Sequence, residues 1–143
     1  MTATIAIASD HAGTELKSQL KEELSKLGFA VKDLGTDSTA SVDYPDYADR
    51  VAHSILNKEA DKGVLICGSG IGMSMAANRH KGIRAALCHE GLSAELSRRH
   101  NDANIVVLGA RITGSELAKE IVKRFLTTEF EGGRHQTRVD KMG

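Results

Sequence analysis

A chain of 143 residues has room for one hydrophobic core and one site, or a share in one, and for no second domain of any size. Its 41% apolar and 27% charged residues mark a folded globular protein, whereas 3% aromatic residues and no Trp leave Ile, Leu, Val and Ala to fill the core and offer no platform for stacked bases. Lys plus Arg and Asp plus Glu number 19 each, so a general nucleic-acid binder, which needs a basic excess, is excluded and any anion site must be local.

The chain starts Met1-Thr2-Ala3-Thr4-Ile5, without a basic leader, and no apolar run approaches the ~18 residues of a membrane span. No membrane association and a cytoplasmic location are expected. A first strand is predicted over 4–8. Leu16, Leu20, Leu24 and Leu27 then repeat at helical spacing up to Gly28, a C-terminal stop. A second strand over 29–34 is followed by a polar loop, 36–44, in which Pro45 pushes Tyr44 toward an extended conformation. Helical stripes follow over 46–58, 71–79, 90–99 and 115–125. Strands are predicted over 63–67, 84–87 and 105–108. Short apolar strands alternating with amphipathic helices predict an α/β fold with a mostly parallel sheet. The tail from Phe130 is different in kind: Gly132 and Gly133 break the last helix, and Arg134 and Arg138 follow four apart, on one face if the tail is helical.

The chemistry concentrates at strand ends. Cys67 closes the third strand and is followed at once by Gly68-Ser69-Gly70-Ile71-Gly72, a turn of bare backbone N–H groups leading into a helix. Such a turn suits an anion beside a reactive sulfur. The bland alternatives are a buried cysteine acting as a small hydrophobe and glycines that merely permit a tight turn. The third glycine of a dinucleotide fingerprint would fall at Met73, and no G-K-[ST] follows, so neither a dinucleotide fingerprint nor a Walker loop is present. Asp10 and His11 end the first strand and share an edge with Cys67; Asp10 serves equally well as a helix N-cap. His100 and Asn101 precede the fifth strand, on the opposite edge. A catalytic His100 would therefore serve a neighbour's site and imply a dimer; the alternative is a helix-end capping cluster. Arg134 and Arg138 would clamp a phosphate, with His11 or Arg111 completing the ring, unless they are only a solvated tail. Cys88 reads as structural, and His53, His80 and His135 receive no role. No H-E-x-x-H or paired C-x-x-C spacing points to a metal, and two cysteines are no disulfide framework.

Taken together, Ala8-Ser9-Asp10-His11-Ala12-Gly13, Asp43-Tyr44-Pro45-Asp46, the run from Cys67 to Gly72, the run from Arg99 to Asn104 and Glu131-Gly132-Gly133-Arg134-His135 closely resemble the ribose-5-phosphate isomerase B family, which also holds galactose-6-phosphate and allose-6-phosphate isomerases. The resemblance implies a Rossmann-like three-layer α/β/α sandwich, doubly wound on a five-stranded parallel sheet. It implies a single isomerase domain over 1–143, with 129–143 as a phosphate-gripping and interface tail, in a homodimer or dimer of dimers with shared sites. The implied reaction is interconversion of ribose 5-phosphate and ribulose 5-phosphate through a cis-enediolate, without metal or cofactor. Cys67 would be the base, Ser69 the proton shuttle and His100 the ring opener, with Asp10 on the ring-oxygen side. Gly68, Gly70, Ile71 and Gly72 would hold the enediolate oxygen, Tyr44 and Asn101 would line the sugar site, and His11, Arg111, Arg134 and Arg138 would grip phosphate. A subgroup of the family uses a glutamate slightly after the cysteine position; this chain has no acid from Met73 to Ala76. The alternatives are a hexose 6-phosphate isomerase, on the depth of the 36–44 loop, and a noncatalytic sugar-phosphate or nucleotide sensor.

Overall fold

The computed structural model describes residues 2–143, leaving only Met1 of the expected domain outside the described residues. Five strands, β1 (Thr4–Ser9), β2 (Ala30–Asp33), β3 (Lys62–Cys67), β4 (Ala85–Leu87) and β5 (Ile105–Gly109), form one parallel sheet in the order β2-β1-β3-β5-β4. The helices are α1 (Thr14–Lys26), α2 (Tyr44–Leu56), α3 (Ile71–Ala77), α4 (Gly91–Asn101), α5 (Ser115–Leu126) and α6 (Arg134–Met142).

Strand alternation sorts the core onto two faces. Ile5, Ile7, Val64, Ile66, Val106 and Leu108 meet the Leu16-Leu20-Leu24 stripe of α1 and Ile121, Val122 and Phe125 of α5. Ala6, Ala8, Leu65 and Val107 face α2 and α3. Small residues let α2 lie close on that side: a methyl group at Gly63 would sit 2.5 Å from Val51 Cγ1. The result is the doubly wound, Rossmann-like α/β/α sandwich the resemblance implies. Winding reverses between β1 and β3, and ligands of open parallel sheets bind at the carboxyl ends of strands beside such a reversal.

Two local expectations are corrected. Tyr44 is not extended but is the first residue of α2, with Asp43 as the β-region N-cap and Pro45 in the first turn, where its missing N–H costs nothing. The polar loop therefore ends at Asp43. A 3-10 turn over His11–Gly13, capped by Asp10, also precedes α1.

The 34–43 loop is held by charge. Lys17, 2% exposed, donates to both Asp33 oxygens at 2.7 and 2.8 Å and to Asp37 at 2.7 Å, while Lys21 reaches Asp33 at 2.8 Å. Backbone bonds from Ser9 N to Gly35 O and from Thr36 N to Ser9 O tie the loop to the end of β1. Burial alone would raise the Asp33 carboxyl, but hydrogen bonds from Lys17, Lys21 and the Gly35 N–H outweigh it and hold it below its ordinary value. A depressed carboxyl contributes stability that is complete above its unfolded value, near 3.8, and is lost as pH falls through the folded value. Lys17→Met, which leaves Lys21 on Asp33, is expected to cost about 2 kcal/mol at pH 7, less than the loss from a wholly buried pair. Urea midpoints should give the same difference at pH 5 and a shrinking one below pH 3.8.

Candidate active site

At the carboxyl edge of the sheet, Asp10, Tyr44, Cys67, Gly68, Ser69 and Arg111 surround an open cleft of about 540 Å³. Register brings them together: Ser9 pairs with Ile66, and Cys67 with Gly109, so the residues that follow three neighbouring strands converge. Close backbone approach is required at Gly109, where a methyl group would lie 2.6 Å from Ser69 O. Gly70, at φ +81, makes the left-handed turn into α3 and turns its N–H onto Cys67 Sγ at 3.2 Å. The Ile71 N–H is likewise directed to Ser69 Oγ at 3.2 Å. Two of the turn's amides thus face the sulfur and the hydroxyl that the sequence singles out, rather than an empty anion site.

Arg111 lies across Gly68, its guanidinium 3.4 Å from where a methyl group would be. Tyr44 closes the cleft over α3, and a methyl group at Gly72 would be 2.5 Å from its ring. Asp10 fills both of its readings: its carboxylate accepts from the Ala12 N–H at 3.0 Å, and it lines the cleft. His11 Nδ1 accepts from the Val42 N–H at 3.2 Å, so Nε2 carries the ring proton and is the face left for an anion. The loop pinned by Lys17 thereby fixes the tautomer of a predicted phosphate ligand. Ile112 and Met75, exposed apolar residues on the cleft's rim, escaped the sequence reading because nothing in their spacing separates a rim from a solvated face.

The other predicted residues are elsewhere. His100 and Asn101 end α4 before β5, so the length of β5, roughly 13 Å at the rise of a strand, separates them from the cysteine edge. The expected phosphate ring of Arg134 and Arg138 with His11 or Arg111 does not form within one chain. Arg134 and Arg138 share a face of α6, which packs against α4 rather than against the cleft. Asn101 lines a different and larger cavity of about 710 Å³, with Arg79 and Arg84, which does not include Cys67.

His100 belongs instead to a cluster. Its ring stacks on His135, with centroids 4.5 Å apart and planes 15° from parallel. Glu131 lies beside both, its Oε2 accepting from Arg99 Nε at 2.6 Å and its Oε1 3.6 Å from His135 Nε2 and 3.9 Å from His100 Nε2. The Arg99 hydrogen bond holds the Glu131 carboxyl below its ordinary value. Burial, then the His100 and Arg134 charges, push His135 down, with Glu131 opposing. His135 has no motif of its own, and only the α6 fold brings it to His100.

The two cysteines are free and buried but differ in setting. Cys88 has its thiol pushed up to about 11 by burial and then by the Glu90 charge; Cys67 opens on the cleft.

The chain matches the ribose/galactose isomerase family over residues 5–142. It is similar to the crystal structure of a ribose 5-phosphate isomerase from Thermotoga maritima, at 56% identity and a TM-score of 0.97, covering 99% of this chain and 98% of that one. It is 49% identical to the ribose-5-phosphate isomerase B of Escherichia coli over 136 residues, 95% of this chain and 91% of the relative. It is also 44% identical to the D-erythrulose-4-phosphate isomerase of Pectobacterium atrosepticum, over 98% of this chain and 93% of the relative.

Iodoacetamide at neutral pH is expected to alkylate Cys67 well before Cys88 in the folded protein, and to treat both alike in urea. Peptide mass mapping over a time course checks this; equal native rates would remove the distinction.

Proposed function

We propose, for a chain that belongs to the ribose/galactose isomerase family, that the cleft at Cys67 carries the interconversion of D-ribose 5-phosphate and D-ribulose 5-phosphate. The observation that carries this is the Cys67 sulfur at the end of β3, turned toward a Gly70 N–H and flanked by Asp10 and Arg111.

In the forward direction Cys67, as thiolate, takes the proton from C2 of the open-chain aldose. The negative charge passes to O1, giving a cis-enediolate, and the proton returns from sulfur to C1. Ser69 relays the O2 proton to O1. Hydrogen moves only within the substrate, so no external oxidant, reductant or carrier enters. A C2 proton is too weakly acidic for an unaided thiolate, so the amides of Gly68, Gly70, Ile71 and Gly72 stabilise the oxygen charge as it develops. For this the Gly70 and Ile71 N–H groups exchange their present partners, Sγ and Ser69 Oγ, for substrate oxygen. Asp10 lies on the ring-oxygen side, Tyr44 lines the sugar, and His11 Nε2 with Arg111 holds phosphate, whose binding orients carbons several bonds away.

The remaining roles come from a second copy. His100 of the partner subunit opens the furanose ring, Asn101 of the partner subunit lines the sugar, and Arg134 and Arg138 of the partner subunit complete the phosphate grip. Residues 129–143 thus act as the gripping and interface tail of a single 1–143 domain, in a homodimer or dimer of dimers. No described helix is long and apolar enough to cross a membrane, and a cytoplasmic sugar-phosphate pool fits the substrate.

Substrate length is the second question, because a relative 44% identical is named for a four-carbon phosphate. Isomerisation of ribose 5-phosphate, allose 6-phosphate and galactose 6-phosphate should be compared with EDTA present. Preference for ribose 5-phosphate is expected; turnover confined to a hexose phosphate would keep the chemistry and change the substrate. Cys67→Ala is expected to abolish turnover and leave sugar-phosphate binding nearly unchanged, and a variant kcat above about a tenth of wild type would remove Cys67 as the base.

Shared sites make a separate prediction. Cys67→Ala and His100→Asn proteins, each inactive, are unfolded together and refolded. Half the random dimers are mixed and each holds one intact site, so about a quarter of wild-type activity should return. No recovery, despite heterodimers seen by native mass spectrometry, would place His100 outside the neighbour's site.

A further inference from the structure

We propose that His100, Glu131 and His135 form a three-ligand site for a divalent transition-metal ion, with zinc the best fit, and that its occupation inhibits the isomerase by taking His100 away from the sugar. The inhibitory half rests on the reading of His100 as the partner-site ring opener; the site itself does not.

The donor set has the chemistry of a zinc site, two imidazole nitrogens and one carboxylate oxygen. All three ligand atoms lie within 4.8 Å of one another. Glu131 Oε1 is 3.6 Å from His135 Nε2 and 3.9 Å from His100 Nε2, too far for hydrogen bonds in either case. Two ligands of a tetrahedral zinc, each about 2.05 Å from the metal, stand about 3.3 Å apart. The three atoms are therefore close to the spacing of one face of a tetrahedron, and binding requires the His100 and His135 rings to turn out of their 15° stack so that both nitrogen lone pairs converge on the ion. In the single chain the fourth position lies on the exposed sides of His100 and Glu131.

Nearby charge does not forbid a cation. The Arg99 guanidinium is engaged by Glu131 Oε2 at 2.6 Å and by Glu95 at 3.6 Å. That contact also orients the carboxylate, as an outer-shell partner does for a metal ligand, and leaves Oε1 for the ion. Arg134 and Arg138, on α6, weaken the site and favour moderate affinity, suited to reversible inhibition. The ligands come from the end of α4, the connection before α6 and the start of α6, so the ion would also fasten the tail to α4.

A cysteine thiolate also ligates zinc, so binding is measured on the Cys67→Ala protein. Titration calorimetry with zinc chloride should show one site per chain, and cobalt should give the intense visible bands of a tetrahedral ion. His135→Asn and Glu131→Gln, each in the Cys67→Ala background, should weaken zinc at least tenfold; a titration unchanged by both overturns the site. In protein with Cys67 intact, zinc should inhibit, ribose 5-phosphate should raise the concentration required, and EDTA should restore activity. His135→Asn should need at least tenfold more zinc. If zinc binds through these residues without inhibiting, the inhibitory half falls, whereas the role of His100 in the reaction stands or falls by the mixed-dimer recovery.

Discussion

A parallel sheet has a fixed polarity, and that constraint divides this protein's chemistry. Residues that follow strands gather at one edge; residues that precede them gather at the other. Asp10, Cys67, Ser69 and Arg111 all follow strands, whereas His100 and Asn101 precede β5, and the tail carrying Arg134 and Arg138 packs against their helix. No side-chain rotation crosses a strand length of roughly 13 Å. If both groups serve one reaction, as the proposed function has it, that reaction needs two chains, and assembly becomes a condition of catalysis rather than a separate property of the surface.

At the cysteine edge the turn after β3 does two tasks with one backbone path. Gly70 in the left-handed region points its own N–H back at the sulfur, and α3 then begins at Ile71. A side chain at Gly70 would meet Leu87 at 2.5 Å as well as an unfavourable φ, so the turn tolerates little substitution. Its Gly70 and Ile71 donors have partners within the turn itself, Cys67 Sγ and Ser69 Oγ, which keeps them oriented. In the proposed reaction such preorganisation would favour the transition state, because the amides would exchange weak contacts with sulfur and hydroxyl for strong ones with an oxyanion.

Much of this was legible in the sequence where period and punctuation coincide. Four leucines at helical spacing followed by Gly28 located α1, and a five-residue apolar run ending in Cys67 and glycine located both β3 and the cleft. Local order also showed that His100 and Cys67 lie on opposite edges, since one precedes its strand and the other follows its own. What escaped was whatever depends on side-chain direction or on a distant fold. Tyr44 was read as extended from its neighbour Pro45, yet N1 of a helix tolerates that pair and the glycine at position 72 provides a seat for the ring. His135 carries no spacing signal relative to His100, because 34 residues and a helix intervene. Nothing in the sequence separates Lys17 from the other polar residues of α1; its burial comes from the loop that pairs it with Asp33 and Asp37.

That loop shows how a remote charge reaches the chemistry. Lys17 holds Asp33 and Asp37; the loop they bracket delivers the Val42 N–H to His11 Nδ1, and the tautomer so fixed leaves Nε2–H as the ring's donor. In the proposed phosphate grip a donor is what that position needs, and a freely rotating imidazole would present an acceptor part of the time. On that reading the buried lysine bears on anion binding as well as on stability. Each step is a hydrogen bond or an ion pair between named groups, so loosening the first should relax the last. At the opposite edge no residue among those described hydrogen-bonds the second nitrogen of His100; it leans on the His135 ring and stands near Glu131. In the proposed function that freedom suits a ring-opening histidine, and it is the same freedom that the proposed metal site would use.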